Sequence, residues 1–238
     1  MVLLRSVLFY AGMAAATLLF VPLSIVLLPL PFATRFHIIA RWSAFNLWSL
    51  KVICGLDYRI TGVENIPEQA GIILCKHQSA WETLALQLVF PPQVWVLKRE
   101  LLWIPIYGWG LAAMAPIAID RAAGMRALRQ IVAGGKDRLA CGIWVVIFPE
   151  GTRVAPGRRG RYQPGGGMLA AETGCPVVPV AHNSGYFWPR NSLRKWPGTI
   201  DMVIGPAIDG RGKSAEEITR LAEEWIESTV AQLPAPAP

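Results

Sequence analysis

His77 and Glu82 are a pair whose types and spacing could move a proton. An imidazole held by a carboxylate on one nitrogen keeps its other nitrogen free to take a proton from an alcohol or thiol. On a continuous helix, residues five apart point roughly 140° away from each other, so the two cannot meet if both are helical. They meet if His77 precedes the helix and the chain bends between them. Ser79 and Glu82 have the spacing of a capping box, with Ser79 as N-cap and the glutamate reaching back toward the turn. The same spacing also fits a glutamate that only caps a helix, beside a histidine that only ends a strand. Arg121 and Arg153, with Lys98 and Arg99, are candidate fixed cations, and arginine is the preferred fork for anionic oxygens.

The elements that would position these groups read as short strands alternating with helices. Strands are expected at 58–61, 72–75, 94–97, 115–119, 143–148, 177–181 and 199–204, and helices near 80–90, 106–114, 122–139, 167–173 and 215–231. This alternation predicts an α/β sandwich, a largely parallel or mixed sheet flanked by helices. In such sheets ligands bind beyond the carboxyl ends of the strands. His77, Lys98, Asp120, Arg121 and Glu150 all fall just past expected strand ends, which gathers them into one site. The last helix opens with a capping box, Ser214 and Glu217, and places Ile218, Leu221, Ala222, Trp225 and Ile226 on one face. Between 153 and 167, glycine, proline and Arg158, Arg159 and Arg161 predict a mobile loop, and the Pro-Ala tail at 234–238 is expected to be disordered.

Residues 6–34 carry no charge and exceed the ~20 apolar residues that span a bilayer. Pro22, Pro29 and Pro31 are expected to break or end this helix. A second apolar, Trp-rich stretch, 41–56, is interrupted by Lys51, and its Trp42 and Trp48 suit the headgroup region; His37 is expected at the interface. Basic residues flank the first segment on both sides, which fits a helical hairpin dipping into the cytoplasmic leaflet, with a single span as the alternative. The expected organisation is therefore an anchor over 1–57, an α/β domain over 58–233 and a tail over 234–238.

Lys76-His77-Gln78-Ser79-Ala80-Trp81-Glu82 resembles the first motif of the glycerolipid acyltransferases, which runs His, four residues, Asp; here glutamate stands in place of aspartate. Further blocks follow in the family's order: Lys98-Arg99-Glu100 with Asp120-Arg121, then Phe148-Pro149-Glu150-Gly151-Thr152-Arg153, then Val178-Pro179-Val180-Ala181 with Asn183. The chain most resembles the bacterial 1-acylglycerol-3-phosphate acyltransferases, and the resemblance spans 76–183. It implies acyl transfer from acyl-CoA or acyl carrier protein to the free hydroxyl of lysophosphatidic acid, giving phosphatidic acid in phospholipid synthesis. His77 would be the general base and Glu82 its orienting group. Lys98, Arg99, Arg121, Glu150, Gly151, Thr152 and Arg153 would bind the substrate, with no metal or cofactor. Backbone amides or Lys98 would stabilise the oxyanion. The implied location is the inner membrane, with the catalytic domain on its cytoplasmic side.

Composition bounds the rest. The 238 residues are 53% hydrophobic and 16% charged, with mean hydropathy +0.37, which fits a soluble domain joined to a membrane-seeking segment. A net charge of +7 and a pI near 9.5 favour anionic partners. No nucleic-acid motif is present, so acidic membrane lipids are the expected surface partner. Cys54, Cys75, Cys141 and Cys175 form no Cys-x-x-Cys pair and are expected to be reduced and buried. Ala207–Ser214 is a loosened Walker loop with Ala207 where glycine belongs and Asp209 set against any phosphate. A serine hydrolase lacks its Gly-x-Ser-x-Gly elbow. A non-catalytic membrane-surface binder leaves His77, Glu82 and the arginines unexplained, and a different lysolipid acceptor is the closer alternative.

Overall fold

The computed structural model describes residues 1–235. Seven strands form one sheet: β1 (Leu56–Thr61), β2 (Ile72–Cys75), β3 (Gln93–Lys98), β4 (Ile117–Ile119), β5 (Trp144–Ile147), β6 (Val177–His182) and β7 (Gly198–Ile204). The helices are α1 (Val2–Val26), α2 (Phe32–Ser49), α3 (Trp81–Val89), α4 (Tyr107–Ala113), α5 (Met125–Ala140), α6 (Gly165–Thr173) and α7 (Ala215–Gln232). Every expected strand and helix is present, so the alternation was a sound guide to architecture. The order is β1-β7-β6-β2-β5-β3-β4, parallel throughout except where β6 meets β7.

Strand periodicity splits the core into two layers. Ile73 and Cys75 of β2 and Val178 and Val180 of β6 face α1, α2 and α3. Ile72 and Leu74, with Val177 and Ala181, face α5, α6 and α7. All four residues of β2 are buried, as expected for a parallel strand covered on both faces. Gly167 permits the close approach of α6 to α7, since a Cβ there would lie 2.2 Å from the Ala215 carbonyl oxygen.

The anchor departs from expectation at Pro22 and at Trp42. α1 begins at Val2 and continues through Pro22 to Val26, while Pro29 lies in the turn and Pro31 caps α2. One proline removes a single hydrogen bond, which a 25-residue apolar helix seated against protein absorbs. α1 is long and apolar enough to cross a membrane, and it packs against α2 and α4. Phe9 packs edge-on against Trp188 at 5.5 Å, the Lys195 amide donates to Ser6 Oγ at 2.8 Å, and Val21 touches the α4 backbone at Gly110. The Lys195 ammonium lies 4.5 Å from the Tyr10 ring and 4.6 Å from the Trp188 ring, a cation–π seat for the helix. Trp48 and His37 are exposed, whereas Trp42 turns inward to line a cavity.

Other local expectations are also corrected. Cys54 and Cys75 are buried, but Cys141 is exposed and Cys175 half-buried, because the last two sit at helix ends. The 153–167 segment is tied down at several points: Val154 N–H donates to the His77 carbonyl at 2.8 Å, Gln163 N–H to Pro149 at 2.8 Å, and Arg159 pairs with Glu223 at 2.8 Å. The Pro234 carbonyl accepts from Asn183 Nδ2 at 2.9 Å, and residues 236–238 of the expected tail lie outside the described residues. In the Walker-like stretch, Asp209 folds back onto Arg211 at 3.1 Å.

Candidate active site

The Lys76 amide continues the ladder of β2 onto the Val180 carbonyl, and His77 follows as the chain turns. α3 starts at Trp81, two residues after the Ser79 expected to cap it. Ser79 Oγ instead accepts from the Trp81 amide at 3.1 Å, and Glu82, in the first turn, still reaches back. Glu82 Oε1 accepts from His77 Nδ1 at 2.8 Å, Ser79 N–H at 2.9 Å and Gln78 N–H at 3.0 Å, and Oε2 accepts from Ser184 Oγ at 3.2 Å. Burial alone would raise the pKa of this carboxyl. The imidazoles of His182 and His77 and the Ser79 amide outweigh burial and hold it at about 2. An ionised Glu82 only accepts, so Nδ1 carries the hydrogen and Nε2 is the basic nitrogen. The imidazole stacks on Phe148 with centroids 4.0 Å apart and planes at 17°.

A buried charge network lies beneath. Lys76 is fully buried, its ammonium 2.8 Å from Glu150 Oε1, 2.8 Å from Glu227 Oε1 and 3.3 Å from the Arg158 carbonyl. Glu150 Oε2 accepts the His77 amide at 3.1 Å, and Glu227 accepts the Tyr162 hydroxyl at 2.9 Å. Glu150, expected among the substrate-binding groups, thus spends both oxygens on the protein interior. On the other side His182, fully buried, places Nε2 2.8 Å from the Lys76 carbonyl. That carbonyl can only accept, so Nε2 bears the hydrogen and Nδ1 accepts. Burial pushes the His182 pKa down, against the pull of Glu82. The Ser184 hydroxyl has one proton to give, and the charged Glu82 oxygen is the stronger acceptor.

Two cavities meet at Phe148. The first, of about 240 Å³, is largely apolar and runs from His77, Arg121 and Arg153 between α1, α2 and α4. The second, of about 630 Å³, lies against α5 and α6 and includes Gly151 and Thr152 in its wall. Arg121 lines both and donates to the Gly151 carbonyl. Gly151 sits at φ +66°, the left-handed region glycine favours, and turns the chain so that Arg153 reaches the first cavity. Lys98 and Arg99 line neither cavity: Lys98 is 3.6 Å from Glu100, and Arg99 pairs with Asp120 at 3.0 Å and lies over Trp103.

The structure therefore brings together His77, Glu82, Arg121, Gly151, Thr152 and Arg153, turns Glu150 inward and leaves Lys98 and Arg99 outside. Sequence reasoning missed Lys76, Ser184, Arg190 and Glu227, while His182 ends β6. Arg190 holds the loop of Thr152 and Arg153, donating to Thr152 Oγ1 and the Arg153 carbonyl at 3.0 Å each. A lysine directly after four apolar strand residues was a usable signal, because a buried ammonium demands a carboxylate. Chemically, the arrangement offers a base at the mouth of an apolar cavity, next to two arginines.

Comparison with known proteins agrees with that chemistry. A family model described as Acyltransferase matches residues 57–183. A 1-acyl-sn-glycerol-3-phosphate acyltransferase of Pseudomonas aeruginosa is 44% identical over 235 residues, covering 97% of this chain and 91% of that protein. The human 1-acyl-sn-glycerol-3-phosphate acyltransferase alpha is 27% identical over 74% of this chain and 64% of its own. The crystal structure of the Thermotoga maritima 1-acyl-sn-glycerophosphate acyltransferase superposes with a TM-score of 0.82 at 24% identity, covering 100% of this chain and 98% of that one, so the fold is shared. With the matched segment holding His77, Glu82 and the arginine-bearing turn, and a relative this similar along nearly its whole length, the chain belongs to the acyltransferase family.

Proposed function

We propose that the protein transfers a fatty acyl group from an acyl thioester to the free hydroxyl of 1-acylglycerol 3-phosphate, giving phosphatidic acid at the cytoplasmic face of the inner membrane. The observation that carries this reading is the 2.8 Å His77–Glu82 contact, which leaves Nε2 basic at the mouth of an apolar cavity walled by the anchor helices. His77 Nε2 takes the proton of the acceptor hydroxyl as its oxygen attacks the thioester carbonyl carbon. The carbon–sulfur bond then breaks, and the imidazolium returns the proton to the leaving thiolate. Glu82 orients the ring and stabilises its protonated form. Arg121 and Arg153 hold the acceptor phosphate, and Thr152 and Gly151 shape the turn that presents them. Apolar walls from α1 and α2 admit lipid chains from the bilayer, to which the exposed face of α1 gives access.

General base catalysis contributes roughly 10²–10⁴-fold. His77→Ala is therefore expected to lower turnover of lysophosphatidic acid by that factor, at an unchanged melting temperature. Glu82→Gln lowers it less, because the ring remains while its charged partner is lost. The assay is acyl transfer from an acyl thioester in detergent or vesicles. Near-wild-type turnover by His77→Ala would refute the mechanism, and absence of turnover by wild type with lysophosphatidic acid would refute the acceptor.

A further inference from the structure

An acyl thioester has two arms. With its carbonyl carbon at His77, the alkyl chain leaves on one side and the sulfur-linked carrier on the other, so one substrate needs two diverging channels. The two cavities have that geometry: both touch Phe148, on which His77 stacks, and they share Val96 and Arg121. The smaller is walled by α1 and α2, on the anchor side of the sheet. The larger is walled by α5 and the start of α6, on the opposite side. Lipids arrive from the anchor side, whereas thioester carriers are water-soluble and arrive from the other.

The wall of the larger cavity fits one class of ligand. Ala127, Leu128 and Ile131 give it an apolar side, and Gln163 and the backbone around Gly151 a polar one. Arg161 stands exposed at its rim. Neighbouring Arg159 is neutralised by Glu223, but among the described residues no carboxylate pairs with Arg161. An apolar segment, amide groups and a terminal phosphate are the features of a phosphopantetheine arm, which acyl-CoA and acyl carrier protein have in common. We infer that the cavity between α5 and α6 holds the 4′-phosphopantetheine arm of the acyl donor, with Arg161 taking its phosphate. This rests on the acyl-thioester reading above and adds to it the path of the donor.

The test compares wild type with Arg161→Ala and Ala127→Leu. Steady-state kinetics are measured with acyl-CoA, acyl carrier protein and an acyl N-acetylcysteamine thioester, which lacks the phosphate. CoA binding is measured by calorimetry. Loss of a charge-assisted hydrogen bond in Arg161→Ala is expected to raise KM for both carriers roughly tenfold or more. The KM values for lysophosphatidic acid and for the N-acetylcysteamine thioester stay unchanged. Ala127→Leu, which narrows the channel without touching charge, weakens CoA binding and raises KM for both carriers. Unchanged KM for both carriers in both variants overturns the inference. So does a loss confined to acyl-CoA, which places the contact on the nucleotide, or one confined to the carrier protein, which places it on the protein surface. If Arg161→Ala melts early, Ala127→Leu decides. Absence of turnover by wild type with every thioester would defeat the functional reading alone, and binding of 4′-phosphopantetheine, which lacks the nucleotide, lowered by Arg161→Ala would still stand for the cavity.

Discussion

Lys76→Met should be among the most damaging single changes beneath the site, although Lys76 lines neither of the two cavities. Its ammonium serves two carboxylates at 2.8 Å each, Glu150 and Glu227, in a pocket where the lysine and Glu150 side chains are fully buried. Methionine keeps the volume and removes the charge, leaving two carboxylates facing each other. Removing one partner of a buried pair costs about 3–5 kcal/mol. At about 2–4 °C per kcal/mol for a chain of this size, the melting temperature should fall by roughly 6–20 °C. Glu227→Gln leaves the ammonium paired with Glu150 and the Tyr162 hydroxyl with an acceptor, so about 1 kcal/mol is expected. Two carboxylates sharing a site raise one pKa, so the deficit of Lys76→Met should shrink as pH falls and one of them takes a proton. Thermal melting in detergent across a pH series, with turnover measured well below the midpoints, reads all three effects. A shift under about 3 °C for Lys76→Met, or equal losses in Lys76→Met and Glu227→Gln, would refute the charge argument.

Two further outcomes are expected. Ser184→Ala removes the hydroxyl from Glu82 Oε2, a contact to a charged group worth about 1.5–3 kcal/mol; Ser184 is a positioning residue, so kcat should fall about tenfold with KM for both substrates unchanged, and a changed KM with intact kcat would contradict this. Wild-type stability should decline on acidification. Neutral His182, with its pKa below the ordinary value, contributes stability present above about 6.5 and lost as pH falls. Glu82, held at about 2, contributes stability present above its unfolded value near 4.3 and lost toward 2. A melting temperature that rises as pH falls from 6.5 to 5 would contradict the sign for His182, and one that rises as pH falls from 4.3 toward 2 the sign for Glu82.

Most of the fold was legible because its signals are local. β2 and α3 are short apolar runs divided by a polar turn, and His77 and Glu82 lie five residues apart, within reach of capping reasoning. The supporting residues have distant partners: Lys76 finds Glu150 across 74 residues and Glu227 across 151, and Ser184 finds Glu82 across 102. No periodicity carries those separations, since they follow from the order of strands in the sheet. Motif position carries no information about side-chain direction, so it did not show that the Glu150 carboxylate bonds Lys76 and the His77 amide. Pro22 misled because intrinsic helix breaking was weighed without the packing that offsets it.

Sheet order also explains why the site cannot be reduced to its motifs. β2 is central, with β5 on one side and β6 on the other, so the loop after each of the three strands ends beside the others. Lys76 and His77 follow β2, Phe148 to Arg153 follow β5, and Asn183 and Ser184 follow β6. That juxtaposition brings three stretches far apart in the chain around one imidazole. It also creates a buried lysine facing a glutamate, and a second carboxylate comes from Glu227 on α7, which is beyond the matched segment 57–183. Arg190, which ties down the Thr152–Arg153 turn, lies beyond it too. The segment that carries the chemistry therefore depends on residues outside it to hold His77 and Arg153 in place, and α7 serves the site as directly as it serves the core.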